Sequence, residues 1–101
     1  MAKPFRFSPS VAEKLLQKHN IVPKEVMECF LNREGPTFTD IRLNPQTDPP
    51  TMWFVAATDR GRSLKVVYME FEDAFVIKTA YEPRDGSDVL YRKLCDRPGA
   101  R

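Results

Sequence analysis

Residues 52–80 read MWFVAATDRGRSLKVVYMEFEDAFVIKTA, three apolar segments separated by two short polar ones. The first polar segment places Gly61 between two arginines, which is typical of a hairpin turn with glycine in the left-handed conformation. The second, Glu72-Asp73, marks another turn. The pattern therefore predicts three strands that pair in order as an antiparallel meander, over residues 52–58, 63–70 and 74–80.

Two short helices are predicted before this meander. Ser8 followed by Pro9 is typical of a helix N-terminus, and the apolar spacing that follows predicts a helix over residues 8–19. Asn20 tolerates the left-handed conformation that often follows a helix. Pro23 then begins a second helix, which the Glu34-Gly35-Pro36 segment ends.

The remaining segments complete the fold prediction. Residues 37–42 alternate apolar and polar side chains as a half-buried strand does, and residues 43–51, with three prolines, predict a loop. Residues 88–94 predict one or two turns of helix, and about residues 95–101 predict a frayed tail. Because helices and strands are segregated along the chain, we predict an α+β fold: two N-terminal helices packed on a four-stranded antiparallel sheet, with a short C-terminal helix.

Length and composition restrict the class of protein. The 101 residues fit a single domain over residues 1–101, and no apolar run approaches the roughly 18 residues that a membrane span needs. The first residues lack the apolar stretch of a secretory signal, so we expect a cytoplasmic protein with two reduced cysteines and no membrane association. One histidine and no paired cysteines predict neither a metal site nor a cofactor.

Basic residues are concentrated in the C-terminal half. Sixteen Lys and Arg against fourteen Asp and Glu give a net charge of only +2, so local concentration matters more than the total. Such a surface attracts polyanions such as RNA. The candidate RNA-binding cations are Arg60, Arg84, Arg92 and Lys93.

Three further cations are candidates for binding a phosphate. With a two-residue loop at Phe71-Glu72, the meander places Lys65 directly opposite Lys78. Like charges facing each other destabilise a sheet unless an anion lies between them. Together with Arg62 at the hairpin base, the two lysines would hold a phosphate; the alternative is a solvated face on which the long side chains spread apart.

Three residues are candidates for proton transfer. If the substrate is RNA and no metal takes part, cleavage would use the substrate's own 2′-hydroxyl as nucleophile, and the protein would supply positioning, proton transfer and cations. His19, Tyr81 and Glu82 have suitable side chains, but the sequence does not choose among them. His19 also suits a helix cap or a packing contact, and Tyr81 also suits a cover over the edge of the core.

The order of several motifs resembles a known family. Lys18-His19-Asn20-Ile21-Val22 is followed by the hairpin over residues 58–68 and then by residues 76–82, VIKTAYE. Over about residues 5–93 this succession resembles the BrnT-like toxins of type II toxin–antitoxin systems. The chain departs from the family at Asn20, where glycine is usual, and at Lys78, where the family often has arginine.

The resemblance implies a fold similar to the RelE ribonuclease toxins and cleavage of RNA or mRNA, on the ribosome or off it. It also implies a partner, an antitoxin of the ribbon-helix-helix type or similar. We therefore expect a metal-independent endoribonuclease that arrests growth until its antitoxin binds. The alternatives are a non-catalytic module whose basic sheet face binds RNA or an acidic protein segment, and a toxin-like protein that has lost activity. Apolar residues near Phe5, Phe7 and Leu90-Tyr91 predict contact with the antitoxin or with a second copy of the chain.

Overall fold

The computed structural model describes residues 3–41 and 47–95. They form three helices and a five-stranded sheet, which confirms the α+β class. The predicted loop over 43–51 and strand over 37–42 fall partly outside these residues, as does most of the predicted frayed tail. The elements are β1 (Phe5–Arg6), α1 (Pro9–His19), α2 (Pro23–Asn32), β2 (Phe38–Thr39), β3 (Thr51–Ala57), β4 (Ser63–Glu70), β5 (Phe75–Tyr81) and α3 (Ser87–Cys95).

The sheet differs from the predicted four antiparallel strands. Its order is β1-β5-β4-β3-β2, and β1 pairs with β5 in parallel while the other pairs are antiparallel. The sequence analysis missed β1 because two residues are too short to show a strand periodicity. Tertiary packing holds β1 in place: Phe5 pairs with Phe75, and their rings stack with centroids 5.4 Å apart.

The predicted register between β4 and β5 is wrong. Lys65 lies opposite Tyr81 and not opposite Lys78. Two irregularities cause the shift: strand pairing begins at Glu70 opposite Phe75, so the connection has four residues instead of two, and a bulge interrupts the ladder between Val67 and Tyr68. The opposed lysine pair therefore does not exist, and Lys78, at the bulge, is exposed.

Local signals set the ends of the first two helices as predicted. The Ser8 side chain accepts a hydrogen bond from the Val11 amide at 3.2 Å, which caps α1. Asn20 ends α1 with a φ of 53°, in the left-handed region. Pro23 begins α2, and the Glu25 carboxylate accepts from the Val22 amide at 3.1 Å.

The helices cover both faces of the sheet. Successive residues of a strand point to opposite faces. In β3, the Phe54 ring contacts Phe30 of α2, whereas the neighbouring Trp53 ring contacts Tyr91 of α3. Both β3 aromatics are buried. Among the described residues, no helix has the length and apolar character needed to cross a membrane.

Gly35 is required by a close approach between the α2–β2 connection and α3. A Cβ at this position would lie 2.6 Å from the Tyr91 hydroxyl oxygen and 2.9 Å from Cys95 Sγ. The Tyr91 hydroxyl is fixed there because it donates a 2.6 Å hydrogen bond to the Pro36 carbonyl.

We expect Gly35→Ala to lower the free energy of unfolding by about 1–3 kcal/mol, because the added methyl overpacks this contact. Urea denaturation measures the change. In a Tyr91→Phe background the loss should be smaller, since the closest atom is gone. An unchanged unfolding midpoint for Gly35→Ala would show that the contact relaxes without cost.

Candidate active-site cleft

Arg62 links the hairpin to the junction between α1 and α2. Its guanidinium donates to the carbonyls of His19 and Asn20 at 2.7 and 2.8 Å, at the C-terminal end of α1. It also pairs with the carboxylates of Glu25 and Glu82, each at 3.3 Å. A cation is favoured at a helix C-terminus, where carbonyl groups lack partners. The phosphate role predicted for Arg62 does not fit this arrangement, because protein acceptors already surround the guanidinium.

An open cleft lies beside Arg62, between the end of α1 and the end of β5. Its volume is about 450 Å³, and we call it the His19–Tyr81 cleft. The rings of His19 and Tyr81 lie with centroids 5.9 Å apart. The lining residues are Gln17, Lys18, His19, Asn20, Arg62, Tyr81, Glu82 and Arg84. The structure thus brings all three predicted proton-transfer candidates together with Arg84.

Two arginines flank the carboxylate of Glu82. Glu82 Oε1 lies 3.3 Å from an Arg62 nitrogen and 3.9 Å from an Arg84 nitrogen. Because Arg62 is itself held by α1, this contact fixes the carboxylate relative to His19. The Arg84 side chain is 87% exposed, so its guanidinium is open to a ligand from solvent.

Tyr81 is oriented by Asp85, which was not predicted as a site residue. Its hydroxyl donates to Asp85 Oδ2 at 3.3 Å. The pKa of Asp85 is lowered, chiefly by the side-chain hydrogen bond from Ser87 at 2.5 Å and further by the Ser87 amide and the charge of Lys65. Asp85 is therefore a carboxylate acceptor at neutral pH. The Asp-Gly-Ser sequence before α3 was the available signal, since it is typical of a helix start.

The two lysines lie outside the cleft. Lys65 is only 4% exposed and lines a different cavity, with its ammonium 4.8 Å from the centroid of the Trp53 ring and 5.7 Å from that of Tyr81. Lys78 is exposed on β5 and lines neither this cavity nor the His19–Tyr81 cleft. The predicted grouping of Arg62, Lys65 and Lys78 around one phosphate is therefore not formed.

The other predicted RNA-binding residues are scattered. Arg60 is exposed at the hairpin tip and lines a third cavity beside Glu25 and Glu28. Arg92 and Lys93 are exposed in the last turn of α3, the helix on the Trp53 face of the sheet. The structure does not join these three cations to the cleft.

Comparison with known proteins does not assign the chain to a family. No protein-family model matches the chain, and no curated protein matches it in sequence. The resemblance to the BrnT-like toxins thus remains a prediction from the ordered motifs. Within residues 3–41 and 47–95, no group of three or more His, Cys, Asp or Glu side chains is placed to hold a metal ion.

The cleft therefore combines groups suited to proton transfer with exposed cations. An imidazole, a phenol and a carboxylate face a solvent-accessible space, with the exposed guanidinium of Arg84 beside them. General acid–base catalysis needs groups of this kind within reach of the same reacting atoms. An anionic substrate can enter because the cleft is open, and Arg84 presents the planar donor fork that suits a phosphate.

Proposed function

We propose that this protein is a metal-independent endoribonuclease that acts in the His19–Tyr81 cleft. The observation that carries the proposal is the convergence of His19, from the first helix, with Tyr81, Glu82 and Arg84, from the end of the last strand. On the basis of the motif resemblance, we further propose a RelE-like cytoplasmic toxin that a ribbon-helix-helix or similar antitoxin neutralises.

The chemistry follows from the groups in the cleft. The 2′-oxygen of the substrate attacks the adjacent phosphorus and the P–O5′ bond breaks, which leaves a 2′,3′-cyclic phosphate and a free 5′-hydroxyl. Glu82, held between two arginines, accepts the proton of the 2′-hydroxyl, and His19 donates a proton to the leaving 5′-oxygen. Arg84 binds the phosphate oxygens as negative charge builds on them.

Tyr81 and Arg62 have supporting roles in this proposal. The Tyr81 ring, already against His19, offers a surface on which an unpaired base stacks. Arg62 is a positioning residue, because it holds the end of α1 and Glu82 in one arrangement. Lys65 and Lys78 take no part in the reaction, since neither lines the cleft.

We expect purified protein to cleave single-stranded RNA in the presence of EDTA and to leave cyclic phosphate ends. Gel electrophoresis shows the cleavage, and phosphatase resistance of the 3′ ends identifies the product. Binding without cleavage would favour the non-catalytic module instead. Absence of both would contradict the proposal.

Salt dependence tests the binding step separately. With Lys18 and Arg84 as the cations open in the cleft, log K for a 2′-O-methyl RNA should fall with log salt with a slope of roughly −1.4, at about −0.7 for each phosphate. Arg84→Ala should remove roughly half of that slope. Arg92→Ala, which also removes an exposed arginine, is the matched control and should leave it unchanged. Equal effects of the two variants would place RNA outside the cleft.

A further inference from the structure

A second cavity lies between β2, β3 and the start of α3. Its volume is about 630 Å³, within the range of sites that bind small molecules. We call it the Lys65 cavity. Most of its wall is apolar, formed by Phe38, Ile41, Trp53, Leu90 and Leu94.

The ammonium of Lys65 is the unusual group in this wall. Lys65 is 4% exposed, and its contacts are with the faces of the Trp53 and Tyr81 rings. Within the described residues, it makes no hydrogen bond and no ion pair. The charge of Lys65 acts on the Asp85 carboxylate, but these two side chains form no salt bridge. Lys65 Nζ therefore has no directly bonded anion, and the cavity has room for one.

Two acidic residues limit the charge of that anion. Asp85 and Asp40 also line the cavity. Asp85 is already engaged by Ser87 and Tyr81, and Asp40 is buried. The negative charge of Asp85 opposes a phosphate dianion more strongly than a monoanion. A single carboxylate needs only one partner, and the apolar wall suits an apolar body.

We propose that the Lys65 cavity binds a small monocarboxylate with an aromatic or branched aliphatic body. The carboxylate pairs with Lys65 Nζ, and the body lies against the apolar wall. This site is separate from the His19–Tyr81 cleft, so the proposal does not depend on RNA cleavage. It also gives a role to Lys65, a charged residue between Leu64 and Val66 in the buried part of β4.

Trp53 provides the test, because it is the only tryptophan of the chain and lines the cavity. We expect 3-phenylpropionate to change the Trp53 fluorescence saturably. The isosteric amide, 3-phenylpropanamide, should bind roughly 10- to 100-fold more weakly, since it cannot form the charged hydrogen bond. Phenyl phosphate should bind more weakly than the carboxylate. Isothermal calorimetry repeats the comparison without a fluorescence readout.

Two variants separate this site from nonspecific binding. Lys65→Met keeps an unbranched apolar side chain and should abolish the preference for the carboxylate over the amide. Lys78→Met removes an exposed lysine from the neighbouring strand and should leave that preference intact. Lys65→Gln serves as the second variant if Lys65→Met perturbs the fold, which circular dichroism shows.

Three results would overturn the proposal. These are equal affinities for the carboxylate and the amide, an unchanged preference in the folded Lys65 variant, and no saturable binding at millimolar concentrations. None of them bears on RNA cleavage, so this proposal and the proposed function fail independently.

Discussion

Arg62→Ala is expected to lower the free energy of unfolding by roughly 2–4 kcal/mol, the largest stability effect that we predict for a side chain outside the apolar core. The guanidinium donates hydrogen bonds to two carbonyls at the end of α1 and pairs with two carboxylates. Removal leaves these acceptors without their donor. The Arg62 and Glu25 side chains are 24% and 23% exposed, so most of the loss comes from them. Glu82, at 45% exposure, contributes less because water screens it.

Arg60 supplies the matched control, because it lies two residues away in the same turn and is exposed. Arg60→Ala should change the free energy of unfolding by less than about 0.5 kcal/mol. Arg62→Lys should recover only part of the lost stability. An ammonium lacks the planar donor fork with which the guanidinium reaches both helix carbonyls and both carboxylates. Urea unfolding of the three variants measures these differences in the free energy of unfolding. Equal midpoints for Arg60→Ala and Arg62→Ala would mean that the contacts of Arg62 contribute nothing to stability.

The elements with strong local signals were predictable from the sequence. Ser8 and Pro9 mark the start of α1 by capping chemistry, and Gly61, with a φ of 82°, marks the hairpin by its freedom to adopt the left-handed region. These signals act over three or four residues, so they do not depend on the rest of the fold. The three-stranded meander follows from the same kind of information.

The register of β5 was not predictable, because it depends on packing at a distance. The bulge and the longer turn place Phe75 against Phe5 and Phe30, with ring centroids 5.4 and 5.1 Å apart. That contact joins three elements which are distant in sequence. A two-residue turn would have shifted β5 relative to β4 by two residues at Glu70 and by three at Lys65.

The sequence indicated the types of residue in the candidate site, but the predicted grouping of these residues was partly wrong. His19, Tyr81 and Glu82 were predicted as candidates for proton transfer, and these three residues line one cleft. Arg62 and Lys65 were expected to bind one phosphate, yet one is engaged by protein acceptors and the other lines a separate cavity. A sequence shows which side chains are charged, but the partner of each charge depends on which elements pack together in the tertiary structure.

The largest effect on activity is expected from the His19–Tyr81 cleft. His19→Ala and Glu82→Gln should each reduce kcat/KM for RNA cleavage by about 10²–10⁴, as is typical when a general acid or base is removed. Arg84→Ala should reduce it by about 10²–10³, through loss of transition-state charge stabilisation. Single-turnover cleavage of a fluorescent RNA measures these rates. Circular dichroism and urea unfolding confirm that each variant is folded.

Lys78→Ala is the control for these rates, because it removes an exposed cation from the same strand without touching the cleft. It should cleave RNA as the parent does. In growing bacteria, the parent chain expressed without the proposed antitoxin should arrest growth, Arg84→Ala should relieve the arrest, and Lys78→Ala should not. A folded Arg84→Ala that remains fully toxic would contradict the cleft as the active site. Relief by Lys78→Ala alone would instead favour the exposed sheet face, since no reaction confined to the cleft depends on that side chain.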